Sequence, residues 1–188
     1  MSTQSDIIPT LETPRLLLRP LALTDAPAIQ ALFPQWEIVR YLNARIPWPY
    51  PPDGAETFLR EIALPGIARG DEWHWSLRPK SASESLIGGI SLMARPGDNR
   101  GFWLAPEWRH QGLMSEACAA VTDFWFDALG QAVLQVPKAA ENLASRRISE
   151  HSGMRITRTE MRDYVSGAHL SEIWEITAAE WRAHRASG

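Results

Sequence analysis

Gly101-Phe-Trp-Leu-Ala-Pro-Glu-Trp-Arg-His-Gln-Gly-Leu-Met-Ser-Glu-Ala117 is the stretch on which the fold turns. Its apolar start, Gly101 to Ala105, reads as a strand that Pro106 brings to an end. A short polar loop holding Arg109, His110, Gln111 and Gly112 follows. Beyond it Leu113, Ala117, Val121, Phe124, Trp125 and Ala128 recur at helical spacing, which predicts one helix reaching Ala128. A strand that feeds a glycine-bearing loop and a helix start can hold an anion. The first N–H groups of the helix have no partner inside it, and the helix dipole adds partial positive charge there. Arg109 contributes a full charge, and Gly112 lets a ligand come close to the main chain. Taken alone, Arg-x-x-Gly also describes a surface turn with a solvated arginine. The loop is neither a Walker loop nor a dinucleotide fingerprint, because it lacks a Gly-Lys-Ser/Thr ending and has a single glycine.

Upstream, Arg15 to Arg19 reads as a strand, and Thr24 or Asp25 as the cap of a helix running to about Leu32. Residues 34–54 carry Trp36, Tyr41, Trp48 and Tyr50 among four prolines, Pro47, Pro49, Pro51 and Pro52, and cannot form one long helix. Asp53 opens a helix expected to end near Ile62, ahead of Pro65-Gly66. Strands are expected from Glu72 to Arg78 and from Ser85 to Met93, where Gly88-Gly89 implies a bulge or a close backbone approach. Downstream come a short strand, Ala132 to Val136, and a helix from Asn142 to about His151 with Gly153 as its left-handed cap. Two further strands lie near 155–165 and 170–176, and a helical tail covers Ala178 to His184. This order predicts an α/β (α+β) fold: helices on both faces of a mixed, mostly antiparallel sheet.

The 188 residues suit a single domain over the whole chain, 1–188. A net charge of −3 gives no nucleic-acid footprint, and no apolar run is long enough to span a bilayer. A lone cysteine, Cys118, excludes an internal disulfide and a thiolate metal cluster, and the five histidines show no metal-ligand spacing. The N-terminus lacks a signal-peptide pattern. The expectation is a cytoplasmic protein, monomer or homodimer, without a metal. No Gly-x-Ser-x-Gly elbow is present for serine hydrolysis.

Asn142-Leu-Ala-Ser-Arg-Arg-Ile-Ser-Glu-His-Ser-Gly153 is first of all a well-capped helix, but Ser145 falls in its first turn, where a hydroxyl can face a ligand. At this point four stretches together resemble the GNAT-superfamily acyltransferases, in particular the ribosomal-protein alanine N-acetyltransferases. These are Leu11-Glu-Thr-Pro-Arg-Leu-Leu-Leu-Arg-Pro20, Pro106 to Ala117, Asn142 to Met154, and Trp174-Glu-Ile-Thr-Ala-Ala-Glu-Trp181. Three positions depart from the family pattern: Met114, Met154 and Asn99, the last standing where many relatives carry a glutamate.

The resemblance implies an acyl-CoA N-acyltransferase fold splayed at the centre of its sheet, and acetyl-CoA as the acyl donor. It places the pyrophosphate on Arg109, His110, Gln111, Gly112, Leu113, Met114 and Ser115, and the pantetheine arm along Trp103, Leu104 and Ala105. Asn142, Ser145 and Arg146 complete the cofactor set, with Ser145 at the sulfur, Asn142 holding the arm and an amide near Leu104 or Ala105 serving as oxyanion donor. For a general base the candidates are Asp98, Glu160 and His74, with a water relay as the alternative. Trp36, Trp48, Tyr50 and His74 are expected to wall the acceptor site. The acceptor implied is a primary amine, first a protein or peptide N-terminus. A small-molecule amine is the runner-up, and a non-catalytic acyl-CoA-binding module a third reading.

Overall fold

The strands divide into two hydrogen-bonded ladders, and the division is what creates the site. In the computed structural model, which describes residues 8–187, the first ladder has the order β1-β2-β3-β4-β5, all neighbours antiparallel. Its strands are β1 (Leu11–Glu12), β2 (Leu16–Pro20), β3 (Glu72–Pro79), β4 (Gly88–Met93) and β5 (Arg100–Leu104). The second ladder has the order β6-β8-β7, from β6 (Val133–Ala139), β7 (Arg155–Tyr164) and β8 (Gly167–Thr177). Helices α1 (Ala26–Leu32) and α2 (Trp36–Val39) follow β2. Residues 54–69 form α3, in which a π-helical stretch Leu59–Ala63 separates two α-helical segments. Helix α4 (Leu113–Asp123) runs on into a π turn, Phe124–Ala128. Helix α5 (Leu143–His151) follows β6, and α6 (Ala178–Ser187) closes the described chain. Among the described residues no helix is long and apolar enough to cross a membrane.

Alternation along β3 distributes the two faces. Trp73, Trp75 and Leu77 join Leu113, Ala117, Cys118 and Val121 of α4 and Leu134 and Val136 of β6 in the larger core. The opposite face carries Glu72, His74, Ser76 and Arg78, beneath α1 and α3. There Leu21, Ile29, Phe33, Val39, Leu59 and Ala63 make a second cluster. Helices thus cover both faces, as the sequence predicted.

Three expectations about the elements are corrected. Helix α3 does not stop near Ile62; it continues to Arg69 and ends on left-handed Gly70. The wider π turn ahead of Pro65 absorbs the missing proline N–H, which an uninterrupted α-helix would leave as a broken bond. Asp25 does not cap α1: its carboxylate turns inward, accepting from Arg78 Nη2 at 2.6 Å and from the Ala22 amide at 3.0 Å. Strand β6 runs past Val136 to Ala139 and contains Pro137. A proline is tolerated there because β6 is the edge of its ladder. The Gly88-Gly89 pair is a close approach without a bulge. A Cβ on Gly88 would strike the Trp103 carbonyl, and one on Gly89 would lie 2.7 Å from Trp103 Nε1.

Candidate active site

Strands β5 and β6 meet at one end and part at the other. Asn99, just before β5, donates its amide to the Gln135 carbonyl at 2.8 Å and accepts from the Gln135 amide on Oδ1 at 2.8 Å. Its side-chain nitrogen donates to the Met93 and Arg95 carbonyls, at 3.1 and 2.6 Å. Phe102 and Lys138, each three residues further on, also face one another, so the two strands run in the same direction. Amides two residues apart on a strand point the same way. The next donor that β6 would aim at β5 after Gln135 therefore belongs to residue 137, and it is a proline. Pro137 removes the bond that would zip the strands together. Asn99, where the family resemblance leads one to look for a catalytic glutamate, is the buried pin of this junction.

The same alternation sorts the amides of β5. Ala105 donates to the Ile87 carbonyl at 2.9 Å, so Ala105 and Trp103 face β4, while Phe102 and Leu104 face the gap. This corrects the expected oxyanion pair and arm partners: the Ala105 and Trp103 amides are already spent, and the Leu104 amide alone of the three points into the opening. The Trp103 side chain lies on the other face of the sheet, edge-on to Phe33 at 5.3 Å.

Beyond β5, the 3₁₀ turn Pro106–Trp108 leads into a loop in which His110 (φ 61°) and Gly112 (φ 77°) are both left-handed. A left-handed histidine is strained backbone of the kind that clusters at ligand clamps. Together these turns line up successive amides at the start of α4. Leu113 and Met114 send their side chains into the core and offer the loop only their backbone, so the bulk of Met114 does not obstruct the amides. Gln111, Gly112 and Ser115 are exposed. Arg109 turns back to the Leu104 carbonyl (Nε, 3.2 Å) and to the Glu37 carbonyl (3.4 Å).

Arg15, unnoticed as a site residue in the sequence, is the second cation at this loop. Its Nη1 donates to the Gln111 carbonyl at 2.9 Å, and its Nη2 lies 3.4 Å from where a Cβ on Gly112 would sit. Glu116 clamps it, accepting from Arg15 N at 2.7 Å and Nε at 2.9 Å and from the Thr13 hydroxyl. Burial works to raise the Glu116 carboxyl, but these donors hold it below its usual range.

Across the gap, Asn142 caps α5 as expected, its Oδ1 accepting from the Ser145 amide at 3.3 Å. Ser145 Oγ accepts from Lys138 Nζ at 2.6 Å. Arg146 turns away from the gap: its Nε forms a close ion pair with Glu172 Oε2 at 2.8 Å, and its Nη1 reaches the Ala140 carbonyl at 3.4 Å. Its guanidinium is already paired, so it would have to leave Glu172 to meet a bound phosphate.

On the other face of the first ladder lies a cavity of about 830 Å³. Phe33, Tyr50, Phe58 and Trp103 supply its aromatic wall, and Asp98, Glu160 and His74, the three candidate bases, all line it. Burial raises the Asp98 carboxyl, against the pull of Arg162, Arg95 and Arg45. His74 Nε2 sits 2.7 Å from Glu72 Oε2, and Arg95 also pairs with Glu72. Burial alone would lift the Glu72 carboxyl, but the bonds from His74 and Arg95 hold it low. Tyr50 lines the cavity as expected, its hydroxyl pushed up to about 12 by burial. Trp36 and Trp48 do not: 46% and 40% exposed, they pack against each other at 5.6 Å on the outside. Residues 40–43 roof the cavity by bonding Tyr164 at the end of β7 and Val165 and Ser166 just beyond it.

Comparison with known proteins agrees with this geometry. The acetyltransferase (GNAT) domain matches residues 15–155. The chain belongs to the GNAT acetyltransferases. It is 31% identical over 153 residues to the uncharacterized N-acetyltransferase YoaA of Bacillus subtilis, covering 76% of this chain and 80% of that protein. Among solved structures it resembles Mycobacterium smegmatis RimJ in complex with CoA-disulfide. There the TM-score is 0.78 and the identity 17%, over 96% of this chain and 93% of that one. It also resembles the ribosomal-protein-S5-alanine acetyltransferase of Vibrio fischeri, with a TM-score of 0.76 and 15% identity, over 92% and 98% of the two chains.

GNAT acetyltransferases use acetyl-CoA, and the residues of this chain fit that donor. The loop at Gly112 leaves room where a Cβ would meet Arg15, and amides at Leu104 and at the start of α4 face outward. These groups can hold the pyrophosphate and the arm. Sequence reading missed Arg15, Pro137, Lys138, Phe33 and Phe58. Of these only Pro137 carried a visible sign, a proline next to a β-rich run.

Proposed function

We propose that this GNAT N-acetyltransferase acetylates the α-amine of a protein or peptide N-terminus by direct attack on the thioester. Bound acetyl-CoA supplies an activated acetyl group. In this reading the amides of Gly112 to Ser115, with Arg15 and Arg109, hold the pyrophosphate, and the Leu104 amide receives the carbonyl oxygen as charge builds on it. Ser145 and Asn142 stand at the sulfur side. The amine enters from the cavity, where Asp98 takes its proton directly or through water.

The observation that carries the α-amine reading is the charge of that cavity. Arg45, Arg69, Arg95 and Arg162 line it beside Glu61, Glu72, Asp98, Glu160 and Asp163, and Glu72 and Glu160 are already paired with arginines. A polycation gains little there, whereas one amine attached to an apolar side chain fits the aromatic wall. An α-amine with a pKa of about 7.7–8.0 is also partly neutral near neutrality and needs less base than a lysine at about 10.4. The roof joining residues 40–43 to the β7–β8 turn favours a second reading, a small-molecule amine. Free-thiol release from acetyl-CoA, measured against N-terminal peptides, polyamines and amino acids, tests both. Peptides should give the highest kcat/KM. Turnover confined to free small amines would replace the α-amine reading with the second.

A further inference from the structure

Two cations are buried beside the gap with no carboxylate among the described residues to balance them. Lys138 on β6 and Arg100 on β5 are each 5% exposed, and among the described residues neither forms an ion pair with a carboxylate. Arg100 donates to Thr122 Oγ1 at 2.9 Å and reaches Met154 Sδ at 3.8 Å, while its Nε has no partner. Lys138 Nζ has the Ser145 oxygen and the face of Phe102, 5.1 Å from the ring centre. The carboxylate paired across the ladder, Glu172 on β8, is occupied by Arg146 of α5 and by Trp174 Nε1 at 3.1 Å. Cys118 of α4 is the remaining titratable neighbour, buried and with its thiol pushed up by that burial. Buried charge is kept where something compensates it. Among the described residues no compensating anion is present, and the charge sits where β5, β6 and the first turn of α5 converge.

An ammonium has three donors and no acceptor, so Ser145 Oγ must accept from it. That fixes the serine's lone pair and leaves its own hydrogen free, and no described residue accepts it. We propose that Lys138 is a positioning residue for the departing thiol: it holds the Ser145 hydroxyl toward the coenzyme A sulfur and replaces the proton that Ser145 gives up. This rests on the proposed placement of the thioester in the gap. The amine nitrogen bonds to the carbonyl carbon, the carbon–sulfur bond breaks, and its electron pair goes to sulfur. The hydroxyl proton of Ser145 passes to sulfur while a proton of Lys138 passes to Ser145, leaving a neutral lysine. Asp98, having taken the proton of the acylated amine, releases it to solvent, from which Lys138 recovers its ammonium.

Burial and Arg100 lower the Lys138 amine to about 7. The single-turnover rate of the wild-type protein should accordingly carry a limb that falls as pH rises through that value. Lys138→Met keeps the length and the packing of the side chain. It should leave acetyl-CoA affinity within about threefold and lower the rate about 100-fold, the low end of what a positioned proton donor contributes. It should also abolish the falling limb. Independently of turnover, the thiol of bound coenzyme A, followed by the ultraviolet absorbance of its thiolate, should ionise at higher pH in Lys138→Met than in wild type. Ser145→Ala should remove the same limb, and the double variant should be no slower than the worse single one. An unchanged limb with an unchanged thiol titration in Lys138→Met overturns the proposal. If that variant fails to fold, an unchanged limb in Ser145→Ala overturns it. A wild-type protein that binds no acetyl-CoA instead overturns the placement on which the proposal rests.

Discussion

On the proposed reading, the donor side and the acceptor side of this protein are built by different means. The donor side is made of main chain: the amides of Leu104 and residues 112–115, with cations set around them. The acceptor side is made of side chains drawn from α1, α3, β3, β5 and β7, far apart in sequence. A backbone site is specified by where a strand stops and a helix starts, so it depends on a few glycines and prolines. A side-chain site depends on which residues happen to share a face. The first tolerates changes of side chain and fails when the backbone is altered. The second responds gradually, residue by residue.

The largest expected effect therefore lies on the donor side. Gly112→Asp puts a carboxylate at a left-handed position beside Arg15, neutralising one cation and opposing the pyrophosphate. Two unit charges about 4 Å apart at a protein surface interact by about 4 kcal/mol, so acetyl-CoA affinity should fall about 1,000-fold in calorimetry. The fold should stay intact, with the melting temperature lowered only by the few degrees that a side chain at a left-handed position costs.

Next in size is the stability cost of the buried Lys138. In the unfolded chain its amine titrates near the ordinary value of 10.5, and in the fold near about 7. Between those values the unfolded chain binds a proton that the folded chain lacks, so stability rises as pH climbs from about 7 toward 10.5, and the penalty is at its full size below 7. At about 1.4 kcal/mol per tenfold in proton affinity, the full penalty is at most about 5 kcal/mol, and Lys138→Met should recover part of it at neutral pH. It should also flatten this dependence, as followed by urea unfolding across pH. A variant that is less stable at pH 7 would show that the ammonium is better compensated than its surroundings indicate.

The acceptor side should give smaller, separable effects. Tyr50→Ala removes one aromatic wall, packed on Phe33 at 5.2 Å. It should raise the acceptor KM about tenfold, equivalent to about 1.4 kcal/mol of lost contact, with acetyl-CoA affinity unchanged. Trp36→Ala and Trp48→Ala touch neither side of the site, and each should change both constants by less than about threefold, as surface substitutions do. A large effect of either tryptophan on acceptor KM would return the outer aromatic pair to the acceptor path.

What could be read in the sequence follows the same division. The donor loop was legible because Pro106, Gly112 and the helical spacing after Leu113 act locally, and so was the capped helix after Asn142. The splay needed more: Pro137 looked like the end of a strand, yet it lies within one, and its consequence depends on Asn99 meeting Gln135 across the gap. Lys138 gave no sign, because its burial and its lack of a carboxylate are properties of four converging elements. Of the residues expected to wall the acceptor site, Tyr50 and His74 line the cavity, while Trp36 and Trp48, chosen for their residue type, do not. A proline-rich loop conceals which of its aromatics turn inward, and Phe33 and Phe58, on or beside helices, took the places expected for the tryptophans.

The central claim is that the acyl donor lies on main-chain amides between the two ladders and beyond β5. Amide hydrogen exchange with and without acetyl-CoA tests it residue by residue. Leu104 and residues 112–115 should gain protection, while Trp103 and Ala105, already bonded to β4, should not change. Protection that spares Leu104 and the 112–115 loop, and appears instead around Tyr50 and His74, would contradict it.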